Sequence, residues 1–216
     1  MDTALNRCVI VGAAPVKDPA RLAEYLHRDD FLVAADGGWQ TLHAMGQAPA
    51  LLVADFDSFP PDQAPPADGT EVLRLPVRKD ETDTLAAVQV ALARGFRDFL
   101  LLGCLGGRLD HTLGNIQVLA ALAAKGCRAV LADEQNEVML WQPGTYRLAF
   151  RPDRGFSLLA YDPQVTGVTI RQAAYPLTDG VLTSDHPLGV SNAFLPGQDA
   201  QISFETGRLL VFLSKD

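Results

Sequence analysis

The stretch LLGCLGGRLDHTLGNIQ, residues 101–117, joins the end of an apolar strand to a helix through a glycine-rich turn. Strands that are covered by helices on both faces of a parallel sheet are continuous apolar runs of this kind. Three glycines, a fixed cation, a carboxylate and an imidazole follow the run within a few residues. The stretch therefore predicts a strand–turn–helix unit with polar chemistry at the carboxyl end of the strand.

The same alternation extends outward over the first two thirds of the chain. Apolar runs alternate with segments whose apolar residues recur at helical spacing, which is typical of an α/β domain with a mostly parallel sheet. The fourth predicted helix is expected to place Leu113, Ile116 and Ala120 on its buried face. The predicted strands are residues 7–11, 31–35, 51–54, 71–75, 98–102 and 128–132, and the predicted helices are 19–27, 38–45, 82–94 and 112–125.

The pattern changes from about residue 136. Short β-type runs are separated there by turns such as Pro143-Gly144 and Pro196-Gly197, and no helical pattern remains. This spacing is typical of a small antiparallel sandwich or barrel. The predicted fold class is an α/β domain over residues 1–138 followed by an all-β, sandwich-like domain over residues 139–216, with the boundary near residues 135 to 150.

Composition narrows the class of protein. The chain has 216 residues and is 48% hydrophobic, which is enough for a large core. Its 26 acidic and 18 basic side chains leave a formal charge of -8, which argues against a broad binding surface for nucleic acid or an anionic membrane. No apolar stretch reaches the ~18 residues that span a bilayer, and the first residues lack the basic region of a signal peptide. The expected location is the cytoplasm.

The three cysteines are interpreted as buried apolar residues. Cys8, Cys104 and Cys127 lie far apart in apolar surroundings and are odd in number. Neither a disulfide framework nor a CxxC metal site fits this arrangement. A cysteine in such a place usually behaves as a small hydrophobic side chain.

Two acidic clusters follow predicted strands, where open α/β sheets place their ligands. Asp36 and Gly37 end one strand, either as an ordinary capped turn or as a place where a ligand approaches the backbone. Asp55 and Asp57 end the next strand and face the same way, because alternate residues of an extended segment share a face. A divalent cation would offset their repulsion, and Mg²⁺ suits one or two carboxylates. A solvated acidic turn is the alternative.

A third cluster, RKDETD at residues 78–83, opens the third predicted helix. Asp80 or Thr82 could cap this helix, because both side chains accept hydrogen bonds from free N–H groups. Asp83 shares a face with Asp80, which is more acidic charge than capping needs. Lys79 is a plausible phosphate partner or a solvated lysine. Capping and a metal or phosphate role both stay open for this cluster.

The fourth cluster is the quoted turn. Gly106 and Gly107 allow backbone N–H groups to converge on an anion, and the helix that follows adds its positive end. The sequence contains no P-loop, dinucleotide-binding or protein-kinase motif. The turn is predicted to bind a polyphosphate, with a plain capped glycine turn as the alternative. The side chains available there are Arg108, Asp110, His111 and Asn115.

Taken in order, the motifs ADGG, DFDS, K-D-x-T-D and G-x-x-GGRxDHxLxN, with Gly-Val-Ser-Asn in the β-rich tail, resemble the thiamin pyrophosphokinase family over residues 36–192. The resemblance implies transfer of a pyrophosphoryl group from ATP to the hydroxyethyl oxygen of thiamin, giving thiamin diphosphate and AMP with Mg²⁺. It also implies an α/β domain, a β-sandwich and a homodimer whose active sites lie between subunits. The alternatives are a magnesium-dependent nucleotide hydrolase or transferase acting on another small alcohol, and a non-catalytic nucleotide-binding regulator.

The resemblance also implies roles for single residues. The metal ligands are Asp55, Asp57 and Asp83. The residues at the nucleotide phosphates are Lys79, Asp80, Thr82, Gly106, Gly107, Arg108, His111 and Asn115, with Asp36 and Gly37 nearby. The residues with catalytic roles are Asp57, Asp83, Arg108 and Asp110, of which Asp110 could accept the proton. The residues at thiamin are Ser191 and Asn192. Some family members carry a tryptophan near the C-terminus that stacks on thiamin, and here Phe212 or Trp39 is the candidate.

Overall fold

The computed structural model describes residues 7–56, 69–76 and 81–215. The chain falls into two compact units, divided between Glu134 and Gln135. The strand Asn136–Trp141, which a boundary at residues 138 and 139 would cut, belongs wholly to the second unit. Each unit has its own secondary structure and its own core, as the two sequence patterns predict.

The first unit alternates strands and helices. This confirms the predicted α/β class, because all strand pairings among its described residues are parallel. Its described elements are β1 (Cys8–Val11), α1 (Pro19–Ala23), β2 (Phe31–Ala35), α2 (Gly38–Ala44), β3 (Leu51–Ala54), β4 (Glu71–Arg74), α3 (Asp83–Ala93), β5 (Asp98–Leu102), α4 (Leu109–Ala124) and β6 (Arg128–Ala132).

The parallel strands of this unit run in the order β4-β3-β2-β1-β5-β6. Strand β1 lies at the centre, with Cys8 opposite Phe31 on one side and opposite Phe99 on the other. Every residue of β1 and β3 is buried, which is why both read as unbroken apolar runs. The carboxyl ends of parallel strands meet at one edge of a sheet. That edge is called the carboxyl edge below.

Helix α1 is shorter than predicted. Asp18 caps its first turn by accepting a hydrogen bond from the Arg21 N–H at 3.1 Å, and Pro19 occupies the first helical position. After Ala23 each backbone N–H donates to the carbonyl three residues earlier instead of four. The Leu26 N–H, for example, donates to the Ala23 carbonyl at 3.0 Å. Such tight turns end a helix. The predicted extension to residue 27 was therefore wrong.

The buried face of helix α4 agrees with the prediction only in part: Ala120 is buried and Ile116 is half-buried, but Leu113 is not buried. The helix begins at Leu109, three residues earlier than expected, and its Leu113 side chain is 54% exposed. Periodicity counts apolar side chains only, so it missed that a polar one, Asn115, lies on the buried face. The buried residues of this helix are Asn115, Val118, Leu119, Ala120 and Leu122.

The second unit is all β among its described residues, as predicted. Its strands are β7 (Asn136–Trp141), β8 (Gly144–Leu148), β9 (Gly155–Ala160), β10 (Gln164–Arg171), β11 (Leu177–Thr183), β12 (Ala200–Phe204) and β13 (Leu209–Ser214). Antiparallel pairing joins β7-β13-β9 and, separately, β11-β10-β12-β8. Phe156 and Val211 of the first set share a core with Ile202 and Phe204 of the second. The arrangement is a sandwich of two strand sets around one apolar core.

The expected burial of the cysteines is seen for two of the three. Cys8 and Cys104 are buried, Cys127 is partly buried, and all three are free. Burial raises the pKa of the Cys104 thiol to about 12, so this thiol stays protonated at neutral pH. Within the part of the chain that the structure describes, no helix is long and apolar enough to cross a membrane.

Candidate active site

Asp36 lies at the carboxyl edge directly after β2. Its N–H donates to the carbonyl of Val53 at 2.9 Å, and its φ of +48° turns the chain sharply out of the sheet. Helix α2 starts at once, with Gly37 as its N-cap. An ideal Cβ on Gly38 would lie 1.8 Å from the carbonyl oxygen of Val11, so only glycine allows α2 to start so close to β1. The ADGG motif therefore holds Asp36 at a fixed point of the edge.

Asp55 lies one strand away from Asp36. It follows β3, which pairs with β2 through Ala35 opposite Val53, so the two aspartates leave neighbouring strands at the same edge. Neighbouring strands are about 4.8 Å apart. The next residue, Phe56, has a φ of +65° and carries the Arg74 guanidinium over its ring at 4.3 Å. This contact fixes the turn that presents Asp55. Asp57 lies outside the described residues.

Helix α3 brings Asp83 to the same edge. The helix contacts β1, β2 and β3 and leads at its far end into β5, so its N-terminus lies at the carboxyl edge. Thr82 is its N-cap and accepts a hydrogen bond from the Leu85 N–H at 3.2 Å. Of the two candidate caps, Thr82 is thus the one whose side chain is observed to cap the helix. Asp83 is the acidic residue of the first turn. Asp80 and Lys79 lie outside the described residues.

The glycine-rich turn leaves β5 at this edge. Its first glycine, Gly103, packs directly against the backbone of Gly12, the residue that follows β1. The N–H of Gly12 donates to the carbonyl of Leu102 at 2.8 Å. Gly106 and Gly107 have φ values of +85° and +65°, which other residues adopt at a cost. The turn therefore needs glycine for its backbone path, and it exposes its tip beside the N-terminus of α4.

Arg108 and Asp110 form an ion pair at the start of α4. The Arg108 guanidinium donates to both carboxylate oxygens of Asp110, at 3.1 and 2.6 Å, and both side chains are exposed. This hydrogen bond lowers the pKa of Asp110 to about 2, so the carboxylate is ionised at neutral pH and accepts protons weakly. His111 is exposed beside it and donates its backbone N–H to Asp110 at 3.0 Å.

Asn115 occupies a different position from its neighbours in the motif. Its side chain is only 7% exposed, and its amide donates to the carbonyl of Cys104 at 2.8 Å. Helix α4 is thereby tied to the turn that carries Gly106 and Gly107. The structure thus places Asn115 behind the turn, where it supports the backbone.

The Gly-Val-Ser-Asn segment of the second unit runs along strand β9. Asn192 exchanges two backbone hydrogen bonds with Phe156, at 2.8 and 2.9 Å, and the Ser191 N–H donates to the Ser157 hydroxyl at 3.0 Å. A Cβ on Gly189 would lie 2.1 Å from the carbonyl oxygen of Leu158. The motif therefore needs glycine for this close approach, and Ser191 is left exposed with a φ of +62°.

An open groove of about 480 Å³ lies against this segment. The volume falls in the range of small-molecule sites, and the walls are mostly apolar with a few polar groups, as is usual for such sites. Six of its ten lining residues were not singled out from the sequence, because they lie on strands β10 and β11 and in the loops on either side of β11, and carry no motif. The apolar groove, as it is called below, is lined by Ile170, Tyr175, Pro176, Leu177, Leu182, Leu188, Gly189, Val190, Ser191 and Asn192.

The two predicted aromatic candidates lie elsewhere. Phe212 is half-buried on β13, opposite Val138 and Ser157 of the flanking strands. Trp39 packs against the core of the first unit. Neither residue lines the apolar groove, whereas Tyr175 does and is 69% exposed.

Comparisons with known proteins agree with this division. The family model for "Thiamin pyrophosphokinase, catalytic domain" matches residues 22–131, and that for "Thiamin pyrophosphokinase, vitamin B1 binding domain" matches residues 145–209. A thiamine pyrophosphokinase from Bacillus subtilis is 28% identical over 214 residues, which are 96% of this chain and 98% of the relative.

Solved structures extend the likeness to the fold. The crystal structure of thiamine pyrophosphokinase from Bacillus subtilis superposes with a TM-score of 0.87 at 27% identity, covering 98% of this chain and 100% of the other. A thiamin pyrophosphokinase family protein from Enterococcus faecalis gives a TM-score of 0.81 at 30% identity, with coverage of 98% and 100%. The similarity thus spans both units.

Proposed function

The chain belongs to the thiamin pyrophosphokinase family and is a thiamin diphosphokinase, and from this premise we propose which of its residues carry each part of the reaction. The enzyme transfers a pyrophosphoryl group from ATP to thiamin, which gives thiamin diphosphate and AMP. We assign the nucleotide to the carboxyl edge of the first unit and thiamin to the apolar groove of the second. The observation that carries the assignment is the gathering of Asp36, Asp55, Asp83 and the glycine turn at one edge of the parallel sheet.

The carboxylates of this edge fit a magnesium ion. Asp36 and Asp55 leave neighbouring strands, and Asp83 starts the helix that packs across them. Magnesium takes one or two carboxylates and completes its shell with water and phosphate oxygens. Within residues 7–56, 69–76 and 81–215 no three acidic, histidine or cysteine side chains form a ready metal centre. We therefore propose that Asp57 and the nucleotide complete the shell. When bound, the ion offsets the negative charge of the phosphates.

The glycine turn and the N-terminus of α4 are proposed to hold the transferred phosphates. Exposed N–H groups at a helix start attract anions, and Gly106 and Gly107 leave the approach open. The planar fork of Arg108 matches two phosphate oxygens. Asp110 accepts from Nε and Nη2 of this guanidinium, so the Nη1 side is the one proposed to meet phosphate. Because Asp110 binds Arg108 in this way and has a lowered pKa, we assign it to orienting Arg108 and not to accepting the proton. The family resemblance supports a further proposal, that the nucleotide phosphates also contact His111, Lys79 and Asp80. Thr82 is proposed to act indirectly, as the N-cap of α3.

The second unit is proposed to bind thiamin. All ten residues that line the apolar groove lie within the stretch that matches the vitamin B1 binding domain. Ser191 offers an exposed hydroxyl beside the apolar walls. A homodimer and a cytoplasmic location are part of the same proposal. The dimer is supported by large exposed apolar side chains outside the groove, such as Leu109 at 72% and Leu113 at 54% on α4. Light scattering during size exclusion is expected to give twice the mass of the chain.

The test of function is a comparison of product formation with and without thiamin. Purified protein, ATP and Mg²⁺ are expected to yield AMP and thiamin diphosphate only when thiamin is present. AMP release without thiamin would indicate a hydrolase, and no AMP in either case would indicate a binding protein.

The same assay tests the carboxyl edge. Asp55→Asn and Asp83→Asn are each expected to lower kcat ~100-fold or more, as loss of one group that stabilises transition-state charge typically does. Asp29→Asn, in an exposed turn of the same unit, is the matched control and keeps wild-type activity. Turnover near the wild-type rate in either edge variant, with an unchanged melting temperature, would remove that carboxylate from the site.

A further inference from the structure

The order of the parallel strands reverses between β1 and β5. From β1 the chain builds β2, β3 and β4 on one flank, and it then adds β5 and β6 on the other flank. Open α/β sheets bind their ligands at the carboxyl edge where the strand order reverses in this way. Two segments lie at that place: the glycine turn after β5, and residues 12–18 after β1, which are called the β1 loop. The reversal therefore predicts that the β1 loop borders the nucleotide as the glycine turn does.

The β1 loop packs against the glycine turn. The Ala14 N–H donates to the carbonyl of Gly103 at 2.8 Å, which joins the two backbones. The ring of Pro15 occupies the space that a side chain of residue 107 would need, because an ideal Cβ on Gly107 would lie 3.0 Å from the Pro15 Cδ. The path of the glycine turn therefore depends on where the β1 loop lies.

Glu134 holds the far end of the β1 loop. It lies two residues after β6, and one oxygen of its carboxylate accepts hydrogen bonds from the N–H groups of Lys17 at 2.7 Å and Asp18 at 2.9 Å. Partial burial raises the pKa of the Glu134 carboxyl, but the N–H groups that it accepts from lower this pKa by more. Because β5 lies between β1 and β6, these bonds join the loops on either side of the glycine turn.

From these contacts we infer that Glu134 is a positioning residue for the nucleotide. Its carboxylate fixes the β1 loop, and the loop holds the glycine turn through Pro15. The inference rests on the proposed placement of the phosphates at that turn. Glycine populates positive and negative φ values about equally, so a glycine-rich turn keeps one conformation only when contacts from outside restrict it. A turn that is ordered before the nucleotide arrives loses less entropy on binding.

The first test removes the hydrogen bonds to the β1 loop. Glu134→Ala is expected to raise the KM and the Kd for ATP roughly fivefold, the effect of about one lost hydrogen bond, and to leave the KM for thiamin within about twofold. Titration calorimetry with ATP and Mg²⁺, without thiamin, gives the Kd. Glu134→Gln keeps an oxygen that accepts hydrogen bonds, so it is expected to restore most of the affinity for ATP. Glu24→Gln, at an exposed residue that ends α1, is the matched control and keeps the wild-type values.

The second test is a double-mutant cycle on the KM for ATP. Pro15→Ala is expected to raise this KM as well, because the glycine turn loses the ring that packs beside Gly107. Adding Glu134→Ala to Pro15→Ala is expected to raise it little further, since residues that act through one another are not additive. A rise in the double variant equal to the product of the two single rises would overturn the route through Pro15.

The outcomes distinguish this inference from the proposed function. If the wild type binds ATP but makes no thiamin-dependent AMP, the proposed function fails, and the Kd for ATP still tests Glu134. If the wild type is active and Glu134→Ala keeps the wild-type KM and Kd for ATP, the function stands and the inference is overturned. An equal rise in the KM for ATP and for thiamin would also overturn it, because Glu134 would then support the fold as a whole.

Discussion

Gly106 shows how a single residue can be required for its backbone alone. Its φ is +85°, and an ideal Cβ there meets no atom within 4 Å, so space does not exclude a side chain. Gly106→Ala is expected to lower the free energy of unfolding by about 1–2 kcal/mol, the cost of a left-handed conformation in an L-residue. Urea unfolding measures the change.

The matched control is a glycine of the neighbouring helix. Gly114 of α4 also has open space around it, and no positive φ is present there. Gly114→Ala is expected to stabilise the protein by about 0.5–1 kcal/mol, because alanine loses less backbone entropy in a helix. Equal effects of the two substitutions would show that the conformation of the turn does not demand glycine at residue 106.

At the scale of an element, helix α4 is fixed to the glycine turn by one polar contact. The Asn115 amide donates to the carbonyl of Cys104, a residue that is 2% exposed. Asn115→Leu is expected to destabilise the protein by about 1–3 kcal/mol despite its greater hydrophobicity, because it leaves that carbonyl without its donor. It is also expected to raise the KM for ATP more than the KM for thiamin.

The exposed neighbour Gln117 supplies the control for this helix. Gln117→Leu changes the same kind of side chain in the same helix, and it is expected to change the free energy of unfolding by less than about 0.5 kcal/mol. Urea unfolding of both variants measures the change in stability, and steady-state kinetics measure the KM for ATP and for thiamin. An Asn115→Leu protein as stable as the wild type would show that the contact does not hold the turn.

The elements also show where periodicity suffices and where it fails. Strands β1, β3 and β5 were predicted from the sequence because both faces of a central parallel strand are covered, which leaves a continuous apolar run. The buried face of α4 was predicted only in part, through Ala120, since Asn115 is polar and interrupts the apolar pattern. Strand β11 likewise has no continuous apolar run. Its sequence LTDGVLT mixes apolar and polar residues around a glycine, and its pairing with β10 shifts register twice.

At the scale of the whole molecule, the two candidate binding regions differ in how far the sequence reveals them. The carboxyl edge was predicted because parallel strands bring their carboxyl ends together, so short motifs far apart in sequence meet by topology alone. The apolar groove was not predicted. Its shape depends on the loop that carries Tyr175 and on the hydrogen bonds between the Asn192 side chain and the Tyr175 backbone. Tertiary contacts of that kind leave no periodic pattern in the sequence.

Ion pairs spread over the second unit predict how the stability of the molecule depends on pH. The Arg208 guanidinium donates to Asp162 at 3.0 Å and lowers the pKa of that carboxyl, and the Phe150 N–H does the same for Asp199. A carboxylate that accepts such hydrogen bonds stabilises the folded protein when it is ionised. The folded protein therefore binds fewer protons than the unfolded chain in the acid range.

The sign follows from the direction of these shifts. Because the folded pKa of Asp162 lies below the unfolded value of about 3.9, its contribution is complete above that pH and is lost as the pH falls through it toward the folded pKa. The melting temperature is expected to fall as the pH drops from about 4.5 to about 2.5, and to fall less in Asp162→Asn, which has no proton to gain. Asp153→Asn, in an exposed turn of the same unit, is the control and keeps the wild-type slope. Calorimetry at several pH values measures the slopes, and an Asp162→Asn slope equal to that of the wild type would contradict the assignment, because the ion pair would then add nothing to the stability of the molecule at neutral pH.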